Sequence, residues 1–154
     1  MAKKYLDAAG LSYFLGKLKS IFIGKKSGTL ADGKILEFSG EGYGILTLYS
    51  PMDNTRCALL VSLFWEYSEF SVLCMHGTPP TCLRAIIDED TLSNYMWNNG
   101  EPEGFTYTFV PLDGSLSATV KTVPSSAEMY TPVEIQKVAT TADIGNISNQ
   151  LSNI

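Results

Sequence analysis

The sequence predicts a mainly β chain, an antiparallel β-sandwich or jelly-roll-like domain with an amphipathic helix ahead of it and a short helical or coiled-coil tail behind it. Three observations carry that expectation. Short apolar or alternating runs separated by turn residues fill the middle of the chain, helical spacing of apolar residues is confined to its start, and the alternating helices of a parallel α/β fold are missing. At 154 residues and 45% hydrophobic composition, one domain with its own core is expected. The expected division is 1–26 helix, 30–131 sandwich and 132–154 tail.

The helix has start and stop signals. Asp7 is placed to N-cap it, because a carboxylate there accepts from the free amides of the first turn, and Leu6 and Leu11 occupy the two positions of a hydrophobic staple. Leu11, Phe14, Leu15, Leu18, Ile21 and Phe22 recur at helical spacing and form one apolar face. Lys17 and Lys19 lie on other faces, and Gly24 is a C-cap. Gly10 and Gly16 each cost up to about 1 kcal/mol relative to alanine. The segment is therefore expected to need a packing partner.

Seven strands are expected next. They fall in "KILEF", "GILTLYS", "RCALLVSLFWE", "EFSVLCM", "CLRAIID", "FTYTFV" and "SLSATVKTV", with an eighth near "AEMYTP". "PLDG", Pro111 to Gly114, is expected to turn the chain between two of them, and Leu116, Ala118 and Val120 to share a face. Trp65 and Phe70 are expected to alternate into the core. In the tail, Ile144, Ile147, Leu151 and Ile154 are spaced three, four and three apart, an a/d pattern that favours trimers or tetramers if it forms a coiled coil. Packing of this tail on its own domain is the alternative.

Charge separates the segments. Six lysines against Asp7 give Met1 to Lys26 a charge of +5, which leaves −10 for the rest of a chain whose net charge is −5. An acidic body argues against nucleic acid as a partner, since phosphates are neutralised by clustered Lys and Arg. No apolar run approaches the ~20 residues of a bilayer span, so membrane insertion is not expected. The three cysteines, Cys57, Cys74 and Cys82, are too few for a disulfide scaffold and suit synthesis in a reducing cytoplasm.

Chemistry-bearing motifs are sparse. No nucleophile motif, phosphate-binding glycine loop or zinc spacing occurs, and neither catalysis, a metal nor a cofactor is expected. His76, between Cys74 and Cys82, is read as a loop histidine rather than a ligand. Asp88, Glu89, Asp90, Glu101 and Glu103 could in principle supply a glycosidase pair or a calcium site, but solvated turns explain them as well. "TLSNYMWNNGEPEGF" is the better recognition candidate: Tyr95 and Trp97 offer aromatic faces to sugars or apolar partners, and Asn98 and Asn99 offer amides to hydroxyls.

The segment "KKYLDAAGLSYFLGKLKSIF" resembles the N-terminal motif of fibre and receptor-binding proteins of gut bacteriophages and prophages, a "YLD..GL.YF..K.K..F" pattern. Tyr5, Leu6, Asp7, Gly10, Leu11, Phe14, Lys17, Lys19 and Phe22 match it, whereas Leu15 and Gly16 stand where an aromatic and a polar residue are common. The tail is similar to the small, Ala/Asp/Ile-rich segments of trimeric phage fibres. This resemblance implies a non-enzymatic virion protein made in the host bacterial cytoplasm. It also implies a homotrimer that docks on other virion proteins through Tyr5, Leu6, Leu11, Phe14, Leu15, Leu18 and Phe22, and presents its β domain to a host-surface glycan or protein. The chain lacks a long shaft, which keeps a head fibre, a capsid decoration and a baseplate component as alternatives. A carbohydrate-binding or glycan-cleaving domain, and a protein lying on a lipid surface through its basic helix, are readings of other classes.

Overall fold

A computed structural model of the chain describes residues 7–64, 69–89, 91–124 and 130–137 and the isolated positions 150 and 152, with the backbone alone described at 18–24 and 130. The helix α1 spans Ala8–Gly24, about 25 Å at 1.5 Å per residue. Its start is as expected: Asp7 Oδ1 accepts from the Gly10 amide at 2.7 Å and Asp7 O from the Leu11 amide at 2.9 Å. Only Lys25 separates α1 from the first strand.

Eleven strands are found among the described residues. Six of them, β1 (Lys26–Leu30), β3 (Gly42–Ser50), β4 (Thr55–Phe64), β5 (Glu69–Gly77), β8 (Phe105–Gly114) and β11 (Ile135–Lys137), make one sheet. The other sheet holds β2 (Lys34–Ser39), β6 (Leu83–Asp88), β7 (Ser93–Asn98), β9 (Ser117–Thr122) and β10 (Tyr130–Val133). Their orders are β1-β8-β3-β4-β5-β11 and β10-β6-β7-β2-β9. The meander β3–β4–β5 is closed by β8, which returns to lie beside β3 after β6 and β7 have crossed to the other sheet. This is a Greek-key path. Every ladder is antiparallel except that of β11 with β5.

The apolar residues that alternate along these strands meet between the sheets. Leu36 and Phe38 of β2, Leu83 and Ala85 of β6 and Met96 of β7 face Leu46, Leu48, Leu59, Val61, Val72 and Phe109 of the larger sheet in one buried cluster. Each fully buried Leu or Phe contributes about 2–3 kcal/mol. Phe38 centres the aromatic part, with ring centroids 5.8 Å from Phe70 and 5.5 Å, edge-on, from Phe109. Phe70 is thus in the core as expected, while Trp65 and Tyr67 lie outside the described residues. Room for Phe109 is made by Gly44: a Cβ there would lie 2.3 Å from two ring atoms. Ile35, Ile86 and Tyr95 form a second, smaller buried cluster on the other face of the five-stranded sheet.

Three expectations need correction. Pro111 to Gly114 is not a turn but the end of β8, because the β3–β8 ladder absorbs the proline through a register shift at Tyr43/Gly44. Pro111 stands past the last β1 partner of β8, Phe109, and at an irregularity, where proline is tolerated. The chain turns a step later, where the Ser115 amide donates to Glu41 O at 2.8 Å. Leu116, Ala118 and Val120 do share a face, since Ala118 pairs with Phe38 and Val120 with Leu36, both in the core, and Val120 is 38% exposed because β9 is an edge strand with a neighbour on one side only. The sandwich also reaches further than 30–131: β1 extends one sheet, and residues 130–137 add a strand to each sheet instead of opening the tail. Finally, the sandwich is not wholly antiparallel, as β11 shows. Ile144, Ile147, Leu151 and Ile154 lie outside the described residues.

Candidate functional site

Two surfaces include residues singled out in the sequence. The first is α1. Leu11, Phe14 and Leu15 are 47%, 51% and 54% exposed, although apolar residues at this spacing normally mark a face pressed on a core. Tyr13, on another side of the helix, is covered only in part by the Lys17 ammonium, 5.6 Å from its ring centroid. Tyr5 and Leu6 lie outside the described residues, as do the side chains of Leu18 and Phe22.

The second surface is the β7 region, and here the expected exposed recognition loop is corrected. Tyr95 and Asn98 are fully buried. β7 is an interior strand between β6 and β2, so Met96 and Asn98 point between the sheets while Tyr95 and Trp97 point the other way. Asn98 is the centre of a polar clip at one end of the sandwich. Its Nδ2 donates to Leu30 O at 3.0 Å and to Glu101 O at 3.1 Å, and its Oδ1 accepts from the Glu101 amide at 2.9 Å. The Glu101 carboxylate, also buried, accepts from Ser50 Oγ at 3.3 Å and from the Glu103 amide at 3.4 Å. Asp32 Oδ1 accepts from the Gly100 amide at 2.9 Å. The loop thus ties the β1–β2 turn, the end of β3 and the β7–β8 connection together. Asn98 bonding to the amide three residues on is a side-chain-to-backbone turn that Asn commonly makes, and this signal was available in "NNGE".

What remains accessible of the recognition candidate is Trp97, half-buried, and Asn99, exposed. Together with Pro80, Arg84, Ile86 and Pro132 they line a cavity of about 410 Å3. Arg84 is the direct cross-strand partner of Trp97. A Trp face beside an amide and a guanidinium can stack on a sugar ring and bond its hydroxyls.

Asp88 and Glu101 do not assemble as a glycosidase pair. Asp88, fully buried, pairs across the strands with Ser93, whereas Glu101 lies beyond the Leu83/Asn98 row at the opposite end of the same ladder. Five residues of strand separate the two rows, about 17 Å, well beyond the roughly 5–9.5 Å that retaining and inverting mechanisms use. Asp88 Oδ1 instead accepts from the Thr91 amide at 3.4 Å, and Glu89 Oε1 from Thr131 Oγ1 at 3.0 Å. Asp90 lies outside the described residues.

Among the described residues no three His, Cys, Asp or Glu side chains are grouped to hold a metal ion. Cys74 is buried, donating to His76 O at 3.5 Å and Gly77 O at 3.4 Å, while His76 itself is exposed. Burial, with the neighbouring Cys74 adding to it, pushes the Cys57 thiol up to about 11, and burial raises Cys82 as well. Thiols held protonated are poor nucleophiles and poor ligands. No helix among the described residues is long and apolar enough to cross a membrane. No protein-family model, characterised protein or solved structure matches the chain.

Proposed function

We propose that the protein is a bacteriophage virion structural protein of the fibre or receptor-binding type. It attaches to other virion proteins through α1 and presents the sandwich for host-surface or virion contacts. The observation that carries this reading is the capped helix whose Leu11, Phe14 and Leu15 stand about half exposed. Folding of the sandwich leaves these three residues only half covered, and the helix gains its remaining burial from a partner: a socket on the particle, or the helices of a homotrimer. Trp97 and Asn99, which line their cavity, serve as the host-glycan contact. The protein would be made in the bacterial cytoplasm and end in the virion, with no catalytic role.

One observation favours the particle surface or baseplate over a long tail fibre: Lys25 alone joins α1 to β1, which leaves no room for a shaft between the helix and the sandwich. A head fibre, capsid decoration or baseplate component is therefore the second reading.

Deletion of residues 1–24 tests the attachment. The expected product is folded, with an unfolding midpoint close to that of the full chain, and is missing from purified particles. Normal incorporation of the shortened chain would refute attachment through α1. Light scattering of the purified full chain is expected to give three times the 16.8 kDa chain mass, and a monomer at high concentration would refute the trimer.

A further inference from the structure

The chain has two arginines, and each lines a cavity. Arg84 belongs to the cavity at Trp97. Arg56 belongs to another, on the outer face of the six-stranded sheet, where cross-strand pairing gathers polar side chains from four strands. Tyr49 lies opposite Arg56 and Thr106, Thr47 opposite Ala58 and Thr108, and Ala58 opposite His76. Thr47, Tyr49, Arg56, His76, Thr106 and Thr108 line a space of about 370 Å3.

Arg56 is held in a particular way. Its guanidinium carbon stands 4.7 Å from the centroid of the Tyr49 ring, and the ring is itself held by its hydroxyl, which donates to Asn54 Oδ1 at 3.2 Å. An arginine laid over an aromatic face keeps its planar N–H fork available at the edge, and little freedom is lost when the fork takes up a carboxylate. Among the described residues no carboxylate pairs with Arg56, although the protein is acidic and Asp53 is only three positions away. Around this cation, Thr106 is exposed, Thr47 Oγ1 donates to Thr108 O at 3.4 Å and keeps its lone pairs for an incoming hydroxyl, and His76 adds a ring nitrogen.

We propose that this face binds an acidic saccharide, whose carboxylate takes the Arg56 fork while its hydroxyls meet Thr47, Thr106, Thr108 and His76. The site lies on the sandwich and requires no attachment through α1, so it stands or falls separately from the virion reading.

Titration of the full chain with glucuronate, followed by backbone amide NMR, tests it. Saturable shifts are expected at residues 47, 56, 106 and 108, with glucose binding about tenfold more weakly or worse, the usual effect of losing a charged hydrogen-bonded pair. Arg56→Gln should reduce glucuronate to the level of glucose, and Arg56→Lys, which keeps the charge but not the fork, should fall between. Arg84→Gln should leave these shifts unchanged. An unaltered unfolding midpoint in both Arg56 variants assigns the loss to binding. Equal binding of glucose, inorganic sulfate binding as tightly as glucuronate, an Arg56→Lys variant indistinguishable from the parent, or no shifts at millimolar sugar would each overturn the proposal.

Discussion

Replacing Asn98 by alanine should cost about 3–5 kcal/mol of folding stability. The side chain is fully buried and makes three hydrogen bonds of 2.9–3.1 Å, each contributing about 1 kcal/mol net. Two of the partners, Leu30 O and the Glu101 amide, would be left facing a cavity, which adds about 1 kcal/mol or more for each buried group that fails to find water. Glu101 O suffers less, because it also accepts from the Gly104 amide at 3.0 Å. Domains of this size are stable by roughly 5–15 kcal/mol, so the variant should remain folded but with a far lower urea midpoint. Equilibrium unfolding followed by tryptophan fluorescence measures this, with a slope against urea equal to that of the parent. Asn99→Ala is the matched control: its side chain is exposed and its structural bond is a backbone one, the amide donating to Cys82 O at 3.0 Å. It should cost less than about 0.5 kcal/mol. A loss under about 1 kcal/mol for Asn98→Ala, or equal losses for the two, would refute the clip as the device that closes this end of the sandwich.

Two further outcomes follow from the core. Gly44→Ala should destabilise by about 1–3 kcal/mol or more, because the new Cβ would stand 2.3 Å from the Phe109 ring and the sheets would have to shift; thermal unfolding by circular dichroism would show a parent-like midpoint if that packing were wrong. Cys57 makes stability depend on alkaline pH. Its folded value of about 11 lies above the ordinary 9.0, so its contribution is complete below pH 9 and is lost as pH rises through 11. Between those limits the unfolding midpoint of the parent should fall more steeply than that of Cys57→Ala, and parallel curves would contradict a thiol held neutral by burial.

The elements that were legible in the sequence are those whose side chains are sorted by burial. β3 and β4 alternate between a buried and an exposed face, and the chain announces this as clear period-2 patterning. β1 and β11 were not legible. In β1, only Leu30 is buried and Gly28 fits beneath Tyr107, leaving "KSGTL" with no alternation to read. β11 is three residues long and owes its existence to β5 beside it. The cap of α1 was legible because it is local, depending on one carboxylate and the amide three residues later.

Half of the recognition candidate, Tyr95 and Asn98, is buried. Tyr95 and Asn98 stand in a polar, Asn- and Glu-rich stretch, and such composition is usually read as solvated. Here the polar atoms are spent on one another and on backbone carbonyls from β1 and the β7–β8 loop. Whether an Asn faces water or a buried carbonyl is decided by residues far away in sequence, Leu30 being 68 positions before it, and no local pattern carries that information. Trp97 kept part of its access because it lines a cavity, whereas Tyr95 on the same face is closed over by Ile35 and Ile86, and Asn99 because it follows the strand.

The single-residue joint at Lys25 sets how the domain would answer a mechanical load applied through α1. Force arriving through α1 enters the sandwich at Lys26, one end of a strand registered with β8 over five pairs, Lys26 with Phe109 through Leu30 with Phe105. A pull along that strand strains the five pairs in shear and together, whereas a pull across it peels them one at a time from the Lys26 end. The same joint is therefore tough in one direction and releasable in another, and the angle at which α1 is held selects between the two.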